Sequence, residues 1–568
     1  MPGPPPAEET HQIDELIHAV EDLRRRVAAL EQAGTPAPSS MASEISLAAS
    51  AGETAPDVSS GLLAALGRLL LGIAGAYLLR AITETGILPP LTGTLAGLAY
   101  AAAWLVSTVR ISTGHRLSVA IHGVAAAGIL APLLWEATVR FHTLTPTGAA
   151  AALVLFVVLG QAFAWQRDHA ALAAVTALAG SVTAIALIIG TLDPVPFAVA
   201  LAMAAGMVEF GAWRGRALAW RWIIALAADF CAFLLVYLVT RPQGVPEGYA
   251  SIPVVAVGAL LIALVSIYVA STTLRTLLGG NCVGWFELFQ VATVAALAIA
   301  GGLRVSHGAG LSYIGIACLA AGAACYLAAF TDLARKPARN FHAYATFALL
   351  LVLAGSVFLL PNMLTAVLWS MLALAATALG LRRRGNTPPM HAAVYFIAAA
   401  LESGLLGYSV GTMTGAGNRA ALHLSTGAIF CAVATALGYA ATLRMRKECV
   451  WEWTDRFPAA LVAALLCWTW AGLAVGVLLR AGWEASLEGT VRTALVALVA
   501  VALAWFGRHW NLQELIWILF PWMLFGAVKL VAEDFRQGRS ATLFLSLLVY
   551  GATLIALQRL LRRSPTSR

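Results

Sequence analysis

Two carboxylates, Asp229 and Glu402, sit near the middle of long apolar stretches, ALAADFCAFLL and IAAALESGLLG. A charge placed there has to be paired, hydrated or neutralised, because hydrocarbon offers it no solvation. Such a carboxyl either binds a proton or cation, or it stays protonated and hydrogen-bonds across a helix interface as packing. Both readings stay open from residue type alone, and Asp229 and Glu402 form the candidate intramembrane polar site. His122 in SVAIHGVAAAG and Gln290 in ELFQVATVA are set less deep, and hydrogen-bonded packing is their expected role. Arg68, Glu209 and Glu287 fall within a turn or two of one membrane face, where long side chains snorkel or pair. Arg80 and Lys529 are placed to reach the other face.

Other motifs point away from catalysis. Residues 407–411 spell Gly-Tyr-Ser-Val-Gly and match GxSxG. A nucleophile elbow needs a strand, a sharp turn and a helix, whereas this segment continues an apolar helical run. Gly415 and Gly417 flank Ala416 in a short connection and read as a turn. The sequence holds no Walker A motif, no HExxH and no metal-spaced histidine cluster. Its seven cysteines include no CxxC pair and mostly lie inside apolar runs, where cysteine acts as a small hydrophobe. The expectation is a non-enzyme with no cofactor and no metal.

The elements that must position these residues follow from composition. Of 568 residues, 60% are hydrophobic and 11% charged, which leaves too little polar surface for a water-soluble exterior. Apolar runs of 18 or more residues recur along the chain, each long enough to cross roughly 30 Å of hydrocarbon. Eighteen runs are read, the first at 62–82, the thirteenth at 391–411 and the last at 540–560. The expected fold class is all-α: a polytopic helical membrane protein of about 18 transmembrane helices in residues 61–563, with a tail at 564–568. A transmembrane barrel is excluded, since barrels alternate in short segments. Pro521 in WILFPWMLF is expected to kink its helix.

Charge gives the orientation. With the N-terminus cytoplasmic, the inner loops and C-terminal tail hold 22 lysines and arginines and the outer loops 10, among them Arg492 and Lys529. That bias is what the positive-inside rule expects, so both termini are read as cytoplasmic. The net charge of +8 reflects loops facing anionic lipid, and no nucleic-acid partner is expected. No cleavable signal peptide is read at the N-terminus.

Before the array, residues 1–9 are read as disordered, 10–32 as a coiled-coil helix and 33–60 as a flexible linker rich in Ala, Ser, Pro and Gly. Ile13, Val20 and Val27 occupy the a positions and Leu16, Leu23 and Leu30 the d positions of three heptads. β-branched a with Leu at d favours a parallel pair, so residues 12–31 are a candidate site for a homodimer or a protein partner. Two short strings recur, LAGSV at 178–182 and 353–357, and AWRGR at 212–216 with AWFGR at 504–508. Such matches arise easily in an Ala/Gly/Leu-rich chain and do not establish a duplication.

The succession of coiled coil, linker, GRLLLGIAGAYLLRAITETGILPP, GTLAGLAYAAAWL, GHRLSVAIHGVAAAGILAPLLWE and AWQRDHAALAAVTALAGSVTAIAL resembles a family of large bacterial polytopic inner-membrane proteins of unknown function. The likeness covers about the first 190 residues. It implies a bacterial inner-membrane location and supplies no catalytic residues. The function expected from these features is a non-enzymatic envelope scaffold or assembly factor that recruits partners through its coiled coil. The alternative is a transporter or lipid-precursor translocase that uses Asp229 and Glu402 within the bilayer.

Overall fold

The computed structural model describes residues 56–110, 116–218, 220–330, 338–382, 387–415, 424–445, 453–480, 485–535 and 540–562, and every regular element among them is helical. The coiled-coil core positions Ile13, Leu16, Val20, Leu23, Val27 and Leu30 lie outside the described residues. In chain order come α1 (Pro56–Glu84), α2 (Pro90–Arg110) and α3 (Arg116–Trp135), which runs into a π-helical turn, Glu136–Arg140. Then follow α4 (Pro146–Arg167), α5 (Ala170–Thr191), α6 (Pro194–Trp213), α7 (Arg221–Val239) and α8 (Val254–Thr273) with its π turn Leu274–Leu278. Next are α9 (Trp285–Val305), α10 (Leu311–Phe330), α11 (Ala338–Leu359), α12 (Asn362–Arg382), α13 (Thr387–Glu402) and α14 (Leu405–Thr414). Last are α15 (Thr426–Met445), α16 (Trp453–Leu479), α17 (Ala485–His509), α18 (Gln513–Lys529) with its π turn Leu530–Asp534, and α19 (Ser540–Arg562).

Sixteen of these helices, extended by their π turns, are long and apolar enough to cross a membrane. The pair α13–α14 makes a seventeenth when counted as one span, although it is bent by 70°. α1, with the shorter apolar stretch Leu69–Thr83, fills the place of the first expected run. The chain is an all-α multi-pass protein of the lipid bilayer. Two details differ from expectation. α1 begins at Pro56, inside the segment read as linker. The thirteenth run, 391–411, is not one continuous helix.

Local chemistry starts and stops the helices. α4 and α6 open on proline, whose missing N–H is not needed in a first turn. Thr145 caps α4 by accepting from the Gly148 N–H at 3.1 Å. α4 and α5 are joined by only Asp168 and His169, and α5 and α6 by only Leu192 and Asp193. Asp168 and Leu192 sit in the left-handed region, with φ of 57° and 53°, and so reverse the chain in two residues.

The chain divides into two compact units, residues 1–129 and 130–568. In the first, Tyr100 of α2 donates to Gly72 O of α1 at 3.2 Å, and a β-carbon at Gly72 would fall 2.6 Å from the Trp104 ring. In the second, helices close on one another at small residues, as they do where lipid supplies no hydrophobic drive between them. A β-carbon at Gly355 of α11 would meet Gly315 O of α10 at 2.8 Å, and one at Gly180 of α5 would meet Val157 of α4 at 2.5 Å. The two LAGSV strings thus each place glycine at a helix contact. The two AWxGR strings also do similar work. Arg216 donates to Trp165 O near the end of α4, and Arg508 donates to Leu561 O near the end of α19 at 2.7 Å. Each sets a cation at the negative end of a neighbouring helix.

Candidate functional site

Asp229 lies at the middle of α7 and is 7% exposed. Gln290 of α9 donates its Nε2–H to Asp229 Oδ2 at 2.8 Å, while Oδ1 is buried with no hydrogen-bond partner among the described residues. Gln290, expected as packing, is thus the one donor that holds the candidate carboxyl among the described residues. Tyr268 of α8 is fully enclosed and within electrostatic reach of Asp229, Glu209 and Arg221.

Two turns along α7 towards its start, a cluster of charges closes one end of this bundle. Arg221 pairs with Glu209 of α6 at 3.4 Å and with Glu287 of α9, and Arg275 in the turn after α8 reaches the same Glu287 oxygen. Ser271 donates to Glu209 Oε2 at 2.6 Å. Both carboxylates are buried, and the two arginines balance them one for one. Glu209 and Glu287, expected to snorkel or pair, are here paired with arginine.

Glu402 is placed elsewhere. It is the last residue of α13, half-buried, and is followed by Ser403 and by Gly404 at φ 75° before α14 begins. Among the described residues no hydrogen bond or ion pair joins it. A carboxylate at a helix C-terminus faces the unfavourable end of the helix dipole, so this position gains nothing from its own helix. α7 packs on α5, α6, α8 and α9, whereas α13 packs on α11, α12, α14, α15 and α16. The structure joins Asp229 to Gln290 and does not join it to Glu402.

α14 is a half-helix of 10 residues set into the core. Its Tyr408 and Ser409 lie against Gly476 and Gly472 of α16, where β-carbons would come within 2.0 and 2.5 Å of them. Thr412 donates to Gly472 O at 3.0 Å. Ser409 is fully buried and donates to Leu405 O of its own helix at 2.8 Å, so the GxSxG match is a helical packing serine. His122 is likewise bonded within its helix, to Ser118 O at 2.7 Å.

The half-helix ends on a second charged cluster that sequence reasoning assigned to outer loops. Arg492 and Lys529 are 6% and 4% exposed, inside α17 and α18. Arg492 Nε donates to Thr412 O at 2.7 Å, Nη1 pairs with Glu533, and Nη2 lies 3.5 Å from Glu488. Lys529 Nζ donates to Gly489 O at 2.5 Å and to Thr493 Oγ1 at 2.7 Å, and pairs with Asp534 at 3.0 Å and Glu533 at 3.3 Å. Thr493 completes the network by donating to Asp534 Oδ2 at 2.6 Å. The consecutive Glu533 and Asp534 are both buried within the π turn Leu530–Asp534. Among the described residues three acids face two bases here. The corrective signal was in the sequence: Lys529 precedes Glu533 and Asp534 by a single helical turn.

Between α15, α16, α17 and the start of α18 lies an apolar cavity of about 500 Å³, bounded by Tyr439, Cys467, Trp470, Leu503 and Trp510 among others. Among the described residues, no group of three or more His, Cys, Asp or Glu is arranged to hold a metal ion. No protein-family model, curated protein or solved structure matches the chain.

Proposed function

We propose that this protein is a membrane transporter whose moving part is the broken span α13–α14. One observation carries the reading: a span interrupted at Ser403–Gly404, bent by 70°, whose short half is seated in the protein core. Discontinuous helices are where secondary transporters build their midplane sites, because an irregular backbone is tolerated at that depth only where protein or a cavity satisfies it. Glu402 at the break, and charged clusters at the ends of two helix groups, supply groups that such a cycle would use. The proposed setting is a bacterial inner membrane with both termini cytoplasmic. The loop charges support it, and they support it further once Arg492 and Lys529 are taken out of the outer tally.

The test is two-sided accessibility. A Ser403→Cys chain, with exposed Cys282 replaced by Ser, is treated with a membrane-impermeant maleimide in right-side-out and in inverted vesicles. Labelling from both sides supports alternating access to the break. Labelling from neither side, or from one side under all conditions, overturns it.

The heptads at residues 13–30 support a second reading, the recruiting scaffold. Native-membrane cross-linking of the full chain against one lacking residues 1–33 separates the two. Partners or self-cross-links that vanish with the truncation favour the scaffold.

A further inference from the structure

We infer that Asp229 is a proton-binding site, reached from the end of its helix group at which Glu209, Arg221 and Glu287 cluster. The inference rests on the transport reading above and supplies its coupling ion.

Four observations point the same way. Asp229 is at mid-span, with one oxygen held by Gln290 and the other buried without a partner among the described residues. A lone carboxylate in that position keeps a single donor against a large desolvation penalty, and one proton removes the penalty without disturbing the Gln290 bond. The groups that face Asp229 do not neutralise it. α5 (Ala170–Thr191) contains no titratable residue. α6 offers Glu209, α8 offers Tyr268 with Arg275 beyond it, and α9 offers Glu287. On α7 itself, Cys231 is buried and Arg221 is eight residues away, about 12 Å along the helix, engaged by Glu209 and Glu287.

A metal cation is the poorer occupant. Hard cations gather about six or more oxygens, and this pocket offers one carboxyl, one amide already spent as a donor, and one phenol. A proton needs only the free oxygen. Polar groups lead towards it from that end: Glu209 bonded by Ser271, then Tyr268 one turn along α8, within electrostatic reach of both Glu209 and Asp229.

The test uses the full chain in lipid vesicles and dicyclohexylcarbodiimide, which attacks protonated carboxyls in apolar surroundings. The acid proton passes to a carbodiimide nitrogen, the carboxyl oxygen adds to the central carbon, and an O-to-N acyl shift leaves an N-acylurea that peptide mass spectrometry locates. Expected is modification of Asp229 in mildly acidic buffer, falling about tenfold per pH unit once the carboxyl is mostly ionised. In Gln290→Leu the label should persist to higher pH, because the donor that favours the anion is gone. An infrared band of a neutral carboxylic acid should follow the same pH course and vanish in Asp229→Asn, which keeps the shape and a hydrogen bond to Gln290. A yield independent of pH makes Asp229 a permanently protonated packing group and overturns the inference. So does the absence of both the label and an Asp229-dependent band. One-sided labelling of Ser403→Cys alongside a pH-dependent Asp229 would remove the transport reading and leave the proton site standing. The reverse pair of results would remove only the proton site.

Discussion

Removing Arg492 should be among the most damaging single changes in the second unit. The side chain is 6% exposed and makes three contacts: to Thr412 O, to Glu533 and to Glu488. Solvent screening is negligible at that burial, so the discount proper to surface ion pairs does not apply. In Arg492→Met the cluster falls from three acids against two bases to three against one. Among the described residues Lys529, already shared between Asp534 and Glu533, is left as the sole cation. Breaking one side of a buried pair costs about 3–5 kcal/mol, roughly two to four orders of magnitude in the folded-to-unfolded ratio. The assay is equilibrium unfolding of purified full chain in mixed detergent and lipid, run as a cycle with Glu533→Gln and the double variant. Since replacing both members of a buried pair is often neutral, the double variant should recover at least half of the single-variant loss. An Arg492→Met chain within about 0.5 kcal/mol of wild type, or a double variant as unstable as the sum of its parts, would refute the reasoning.

Three further outcomes follow from the geometry. Gly415 has φ 67°, and a β-carbon there would lie 3.0 Å from Arg492 Nη1 and 3.2 Å from Glu533 Oε1. Gly415→Ala should therefore lose about 1–3 kcal/mol in the same assay, and a loss below that range counts against the tight fit. Gly476→Ala should loosen α14 from α16, because its methyl would occupy the place of the Tyr408 hydroxyl, 2.0 Å away. Tyr408→Phe in the same chain should restore part of the stability, and the absence of any rescue would show that the contact is not the cause. A synthetic peptide of residues 10–32 should gain helicity with concentration by circular dichroism, and Leu16→Ala with Leu23→Ala should abolish the gain. Helicity independent of concentration would leave the segment a single helix.

The spans were legible because an 18-residue apolar run is a one-dimensional signal, and nearly every such run became a helix. What stayed hidden is pairing at a distance. Arg492 and Glu533 are 41 residues apart and Asp229 and Gln290 are 61 apart. Hydropathy scores a charge locally, and at the end of an apolar run it reads the same whether water or another helix surrounds it. Arg492 and Lys529 were therefore placed in outer loops, whereas both are enclosed by neighbouring helices. The break in α13–α14 had a visible cue, Glu402-Ser403-Gly404 in an apolar run, but glycine in a membrane helix is as often a packing site as a bend. Pro521, where a kink was expected, lies in a helix that passes as one span through to Asp534.

The two-residue turns joining α4 to α5 and α5 to α6 have a mechanical consequence. A link of that length, with a residue fixed in the left-handed region, transmits torque and leaves its two helices almost no independent freedom to slide or roll. These three helices behave as one stiff lever. Among the described residues, the longer stretch between α7 and α8 and the crease at Gly404 impose no such two-residue constraint on the helices they join.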